Sequence, residues 1–243
     1  MWYRCVHGDD DSTRFGEGRP LEAQGGPGGG ASGPLKAAEN VVRGSHRELR
    51  PPAGTRPADA RSRLARINKA RQATDLSDWA REMNIFLPTA DFDKRWRLQG
   101  GVAGQECDVF YDEVAGCYMK RNHTVAYEDW TQFFASVRIH NDLFVDTAYT
   151  LVGFMEVKKN LCAILSQPAV RSIRGAGRRE VEKYMVRFGF RHVGHDHYES
   201  ETLMIQDLHS ENVLVGPDER LYFIDTCIYL KEGKEFSLDE TQV

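Results

Sequence analysis

LMIQDLHSENVLVGPDERLYFIDTCIYL, residues 203–230, is the stretch whose reading decides the fold. Leu203, Met204 and Ile205 form a short apolar run that enters a polar loop. Val213, Leu214 and Val215 form a second, Gly216, Pro217 and Asp218 supply turn chemistry, and residues 221–224 form a third. The pattern predicts three short strands. Asp207 leaves the first strand, Asp225 closes the third, and Asn212 stands five residues after Asp207. An ionised carboxylate beside buried strands is costly unless something pairs with it or coordinates it. Two carboxylates and an amide oxygen converging from a β-hairpin make a hard-oxygen set that suits magnesium.

DLHSEN followed by FID resembles the catalytic loop and metal-binding strand of the protein-kinase-like fold. In that fold the loop reads H-R-D-x-x-x-x-N and the later strand ends in D-F-G. D-L-H-x-x-N looks more like the aminoglycoside phosphotransferase branch. The longer D-L-H-S-E-N-V-L … L-Y-F-I-D-T is similar to the serine/threonine/tyrosine kinase domain found in polyvalent proteins of phages and mobile elements. The resemblance implies an α+β fold: a small antiparallel N-lobe sheet with one helix, a hinge, and a reduced C-lobe. It implies ATP and Mg²⁺ as cofactors, with Asp207 accepting or orienting a hydroxyl proton and Asn212 and Asp225 holding the metal. The acceptor of the phosphoryl group is left open. Ile205 and Gln206 stand where protein kinases have His and Arg, and Thr226 and Cys227 replace Phe and Gly. Those departures, with only 18 residues after Asp225, keep a second reading in play: a pseudokinase that binds nucleotide or a partner and transfers nothing.

Upstream, Gly100, Gly101 and Gly104 precede Val109-Phe110-Tyr111, residues 112–116 read as a hairpin turn, and Cys117 to Lys120 returns as a strand. Backbone N–H groups approach phosphate oxygens closely where side chains are absent. By the resemblance, the glycines cover the phosphates and Lys120 contacts the α- and β-phosphates. Apolar residues at Tyr127, Trp130, Phe134 and Val137 predict an amphipathic helix over residues 127–143. In kinases a Glu on this helix orients the lysine. Glu128 is the one Glu there, early for the role, and Asp129 is its rival. Residues 147–157 and 161–166 read as two strands, with Gln167-Pro168 breaking the ladder. That break is either the adenine-binding hinge or an ordinary loop. Residues 179–188 read as a further helix, and His192, His195 and His197 as a solvated loop rather than a zinc site.

Hydrophobic residues make up 41% of the 243 and charged residues 28%, as in ordinary globular proteins. No apolar run is long enough for a transmembrane helix, so no membrane partner is expected. The five scattered cysteines fit free thiols and a cytoplasmic location. Residues 1–57 hold 11 of the 22 glycines and 6 of the 9 prolines and read as a disordered leader. Residues 1–72 carry 13 Lys and Arg against 8 Asp and Glu, a surplus that contrasts with the acidic remainder. The basic stretch is either a linker or an arm making weak nucleic-acid contact. Residues 73–97, with a cap at Asp75 or Ser77, are expected as a helical extension, and residues 98–243 as the minimal kinase-like domain.

Overall fold

The computed structural model describes residues 33–45, 57–96 and 106–236. Its organising element is a four-stranded antiparallel sheet in the order β1-β2-β4-β3, built from β1 (Cys107–Asp112), β2 (Cys117–Asn122), β3 (Thr150–Val157) and β4 (Asn160–Pro168). Alternation along these strands separates two apolar faces. Phe110, Met119, Met155, Cys162 and Ile164 point to one side, where Phe92 and Trp96 of and just after helix α3 (Thr89–Arg95) cover them. Leu151, Phe154, Ala163 and Leu165 point to the other, towards helix α4 (Trp130–Leu143), whose Trp130, Phe134 and Val137 carry the stripe read in the sequence and are joined there by Phe133.

Helix α4 begins at Trp130 rather than at Tyr127. Asp129 is its N-cap and accepts the Gln132 backbone N–H at 2.9 Å. Two residues of helix α2 (Pro57–Glu82) fix this start from outside. Gln72 accepts the Trp130 N–H at 2.9 Å, and the Lys69 ammonium donates to the carbonyls of Thr124 and Tyr127, each at 2.6 Å.

Helix α2 corrects the expected division of the chain. It runs unbroken through the basic stretch and the supposed cap residues, so Asp75 and Ser77 lie in its interior and no boundary falls at residue 72. The expected disordered leader needs a second correction. Helix α1 (Gly33–Gly44) lies within it and buries Leu35, Ala38 and Val42 against α2, α4 and β3. Glycine and proline content hid three apolar residues at helical spacing. The rest of the leader lies outside the described residues.

The remainder forms two small antiparallel sheets around a separate core. One, β10-β9-β5, uses β5 (Arg174–Gly175), β9 (Val213–Val215) and β10 (Leu221–Phe223). The other, β11-β8-β7-β6, uses β6 (Arg191–Gly194), β7 (His197–Glu199), β8 (Leu203–Gln206) and β11 (Cys227–Leu230). Helix α5 (Arg178–Arg187) closes this core with Val181 and Met185. The histidine-rich stretch is a β-hairpin rather than a loop, and His192 is bonded to the His195 carbonyl at 2.6 Å. The chain is thus a mixed α+β fold with antiparallel sheets. No helix among the described residues is long and apolar enough to cross a membrane.

Candidate functional site

A cleft of about 380 Å³ opens between the four-stranded sheet, α4 and the loops around β8 and β11. Its walls bring together Lys120, Asp207, Asn212 and Asp225, residues spread over more than a hundred positions of sequence. Lys120 reaches it because β2 alternates: Met119 enters the apolar core, so Lys120 points the opposite way. The Lys120 side chain is 3% exposed, and its ammonium donates to the Ile224 carbonyl at 2.6 Å and pairs with Asp225 Oδ1 at 3.4 Å. Asp225 is 48% exposed, so one end of this pair is buried and the other faces solvent.

The hairpin of β9 and β10 explains why Asn212 and Asp225 meet. Phe223 pairs with Val213, and the Ile224 N–H donates to the Asn212 carbonyl at 2.9 Å, which places the two residues at one end of the ladder. Asp207 leaves β8 with φ +72, a left-handed conformation rare for a residue with a Cβ. Its carboxylate accepts from Asn212 Nδ2 at 3.1 Å and lies 3.4 Å from His209 Nε2. Asn212 Nδ2 also donates to the Asp207 carbonyl at 3.0 Å, which leaves the amide oxygen as the atom able to meet a cation. Among the described residues no three His, Cys, Asp or Glu side chains converge on a metal position. Asn212 and Asp225 present two hard oxygens at one end of the hairpin. That suits magnesium, which keeps several waters and takes its other oxygens from phosphates.

Several cleft residues were not foreseen. Glu106 lies just before β1 and its carboxyl is raised above the ordinary value, first by burial and further by the charges of Asp207 and Asp225. Cys227 donates to it at 3.6 Å, and burial pushes that thiol up to about 12. His140, on α4, is held neutral because burial lowers it to about 3. Its Nε2 donates to the Thr147 carbonyl at 3.1 Å, so Nδ1 accepts the Thr226 hydroxyl at 2.8 Å. Thr226, the departure after Asp225, is thereby tied to α4. Spacing on the α4 stripe could have flagged His140; nothing in the sequence marks Glu106.

Other expected members stand elsewhere. Glu128 is exposed on the approach to α4, where its backbone N–H donates to the Gln132 side chain, and it does not line the cleft. Asp129 is occupied as the helix cap. Gln167 is buried, donating from Nε2 to the Thr147 carbonyl at 2.8 Å, and is not among the lining residues. The ladder does not break there: Gln167 pairs with Tyr118 and Pro168 with Cys117. Gly100, Gly101 and Gly104 lie outside the described residues. A family model described as a serine/threonine/tyrosine kinase found in polyvalent proteins matches residues 69–232. The match starts inside α2 and takes in every cleft residue named above. No curated protein matches the chain.

Proposed function

Because the chain belongs to the serine/threonine/tyrosine kinases found in polyvalent proteins, we propose that it binds ATP with magnesium and transfers the γ-phosphoryl group to a hydroxyl. The observation that carries this reading is the gathering of Lys120, Asp207, Asn212 and Asp225 in one cleft, with the lysine ammonium 3.4 Å from the Asp225 carboxylate. In this reading the four-stranded sheet with α4 is the nucleotide lobe. The two small sheets with α5 are a reduced second lobe, and the chain beyond Pro168 is the hinge.

Lys120 neutralises and positions the α- and β-phosphates, and its burial means the charge is already stripped of water when they arrive. Asn212 and Asp225 hold the metal, which when bound offsets charge on the phosphoryl oxygens. Asp207 is held by Asn212 at the mouth of the same cleft and accepts or orients the hydroxyl proton. The acceptor, whether a protein side chain or a small molecule, lies on the Asp207 side.

The test is ADP formation from Mg·ATP over a panel of hydroxyl acceptors, with Asp207→Asn as the control. The reading expects turnover in the wild type and a loss of about 10²–10⁴-fold in the variant, the size of a general-base contribution, with nucleotide affinity retained. Tight binding without turnover in the wild type would instead assign the chain as a pseudokinase. The surplus of Lys and Arg in residues 1–72 supports a weaker proposal of nucleic-acid contact, which a steep fall of binding with salt would test.

A further inference from the structure

Lys120 has no carboxylate from α4 to hold it. The helix has a single acidic residue, Asp142, which pairs with Arg138 at 3.6 Å. Glu128 is exposed outside the cleft and Asp129 caps the helix. What meets the buried ammonium instead is a tyrosine from the start of the following strand. The Tyr149 hydroxyl lies 3.4 Å from Lys120 Nζ, and the centre of its ring lies 5.3 Å from the same atom. That hydroxyl donates to the Ile224 carbonyl at 3.0 Å, the carbonyl that the lysine itself reaches at 2.6 Å. With its proton committed to Ile224, the phenol oxygen keeps lone pairs for the ammonium.

Tyr149 is in turn gripped by α4 through two consecutive residues. Asn141 bonds both backbone groups of Tyr149, donating to its carbonyl at 2.8 Å and accepting its N–H at 2.7 Å. The His140 ring lies against the tyrosine ring with centroids 4.5 Å apart. A rigid path therefore runs from helix to tyrosine to lysine, ending on the backbone immediately before Asp225.

We infer that Tyr149 is the positioning residue for Lys120, linking α4 to the lysine in place of a helix carboxylate. The inference rests on the nucleotide site proposed above. Its chemical consequence is that the anchor is neutral. A carboxylate anchor shares the lysine charge permanently, whereas a phenol and a carbonyl orient the ammonium and leave its charge for the phosphates. Asp225, 3.4 Å from the ammonium, is a charged neighbour among the described residues, and it would turn to the cation of a bound metal–nucleotide complex.

The test is Tyr149→Phe, which keeps the ring and removes the hydroxyl alone. Lysine labelling by an amine-reactive ester, read residue by residue by mass spectrometry, reports the position of the ammonium directly. Lys69 of α2, which donates to the carbonyls of Thr124 and Tyr127, is the internal reference. Labelling of Lys120 should rise several-fold in the variant while Lys69 is unchanged, and KM for Mg·ATP should rise roughly fivefold, the effect of one hydrogen bond, with a smaller change in kcat. A parallel rise at both lysines, or no change at Lys120, overturns the inference. In the same experiment Mg·ATP should protect Lys120 in the wild type. Absence of that protection overturns the nucleotide site itself, whatever Tyr149 does.

Discussion

Replacing Lys120 by Met separates what the lysine does for the fold from what it does for a ligand. The side chain is 3% exposed, so the ammonium has given up nearly all its water, at an effective cost of several kcal/mol. Against this stand a hydrogen bond to Ile224, worth about 1.5–3 kcal/mol for a charged donor, and longer contacts with the Asp225 carboxylate and with the hydroxyl and ring of Tyr149. Asp225 is 48% exposed and can be solvated alone, so removing the lysine does not leave its charge buried. The Ile224 carbonyl also keeps a donor, the Tyr149 hydroxyl at 3.0 Å. Met conserves length and volume. The opposing contributions nearly cancel, and the variant should be as stable as the wild type or more stable by up to about 2 kcal/mol. For a chain of this size that is a rise in Tm of no more than about 8 °C. Denaturant unfolding of both proteins without nucleotide measures the difference, and a thermal-shift titration with Mg·ATP shows whether binding is lost. A destabilisation beyond about 2 kcal/mol would refute the reasoning, because the lysine would then be a structural member of the core.

Gly175 faces the Asp207–Asn212 loop so closely that a Cβ there would lie 2.2 Å from the Ser210 carbonyl oxygen; Gly175→Ala should displace the loop and lower turnover at least tenfold, measured as ADP release, with the nucleotide affinity far less changed. His140 is lowered to about 3 by burial, so the unfolded chain takes up its proton first. Its contribution to stability is complete above about pH 6.5 and drains as the pH falls towards 3, at up to about 1.4 kcal/mol per pH unit. Denaturant unfolding across that window should show a shallower slope in His140→Asn, and equal slopes would contradict the assignment. Leu35→Ala should cost about 2–3 kcal/mol if α1 stays docked on its buried face, and hydrogen exchange should report α1 and the start of α4 loosening together.

Much of the site was legible because its chemistry is local in sequence. Asn212 and Asp225 flank one hairpin and Asp207 leaves the strand just before it, and the period-2 pattern around Met119 and Lys120 fixes which way the lysine points. Other positions were not legible because the sequence signal is local and the answer is tertiary. Glu128 is the one Glu on the segment expected as helix, but the helix starts at Trp130 because Asp129 caps it and Gln72, 58 residues away, receives its first N–H. Tyr149 looks like any strand aromatic until the fold brings Ile224 and Lys120 to its hydroxyl. Composition misled most for α1: a segment rich in glycine and proline was read as unable to form a core, but Leu35, Ala38 and Val42 need no core of their own when α2 and α4 supply one.

The most direct test of the account is calorimetric titration of ATP, with and without Mg²⁺, into the wild type and Asp225→Ala. The account predicts magnesium-dependent binding in the wild type and its loss in the variant, with the variant still folded because Asp225 is half exposed. Equal binding by both proteins, or binding that ignores magnesium, would contradict the assignment of this cleft as a metal–nucleotide site.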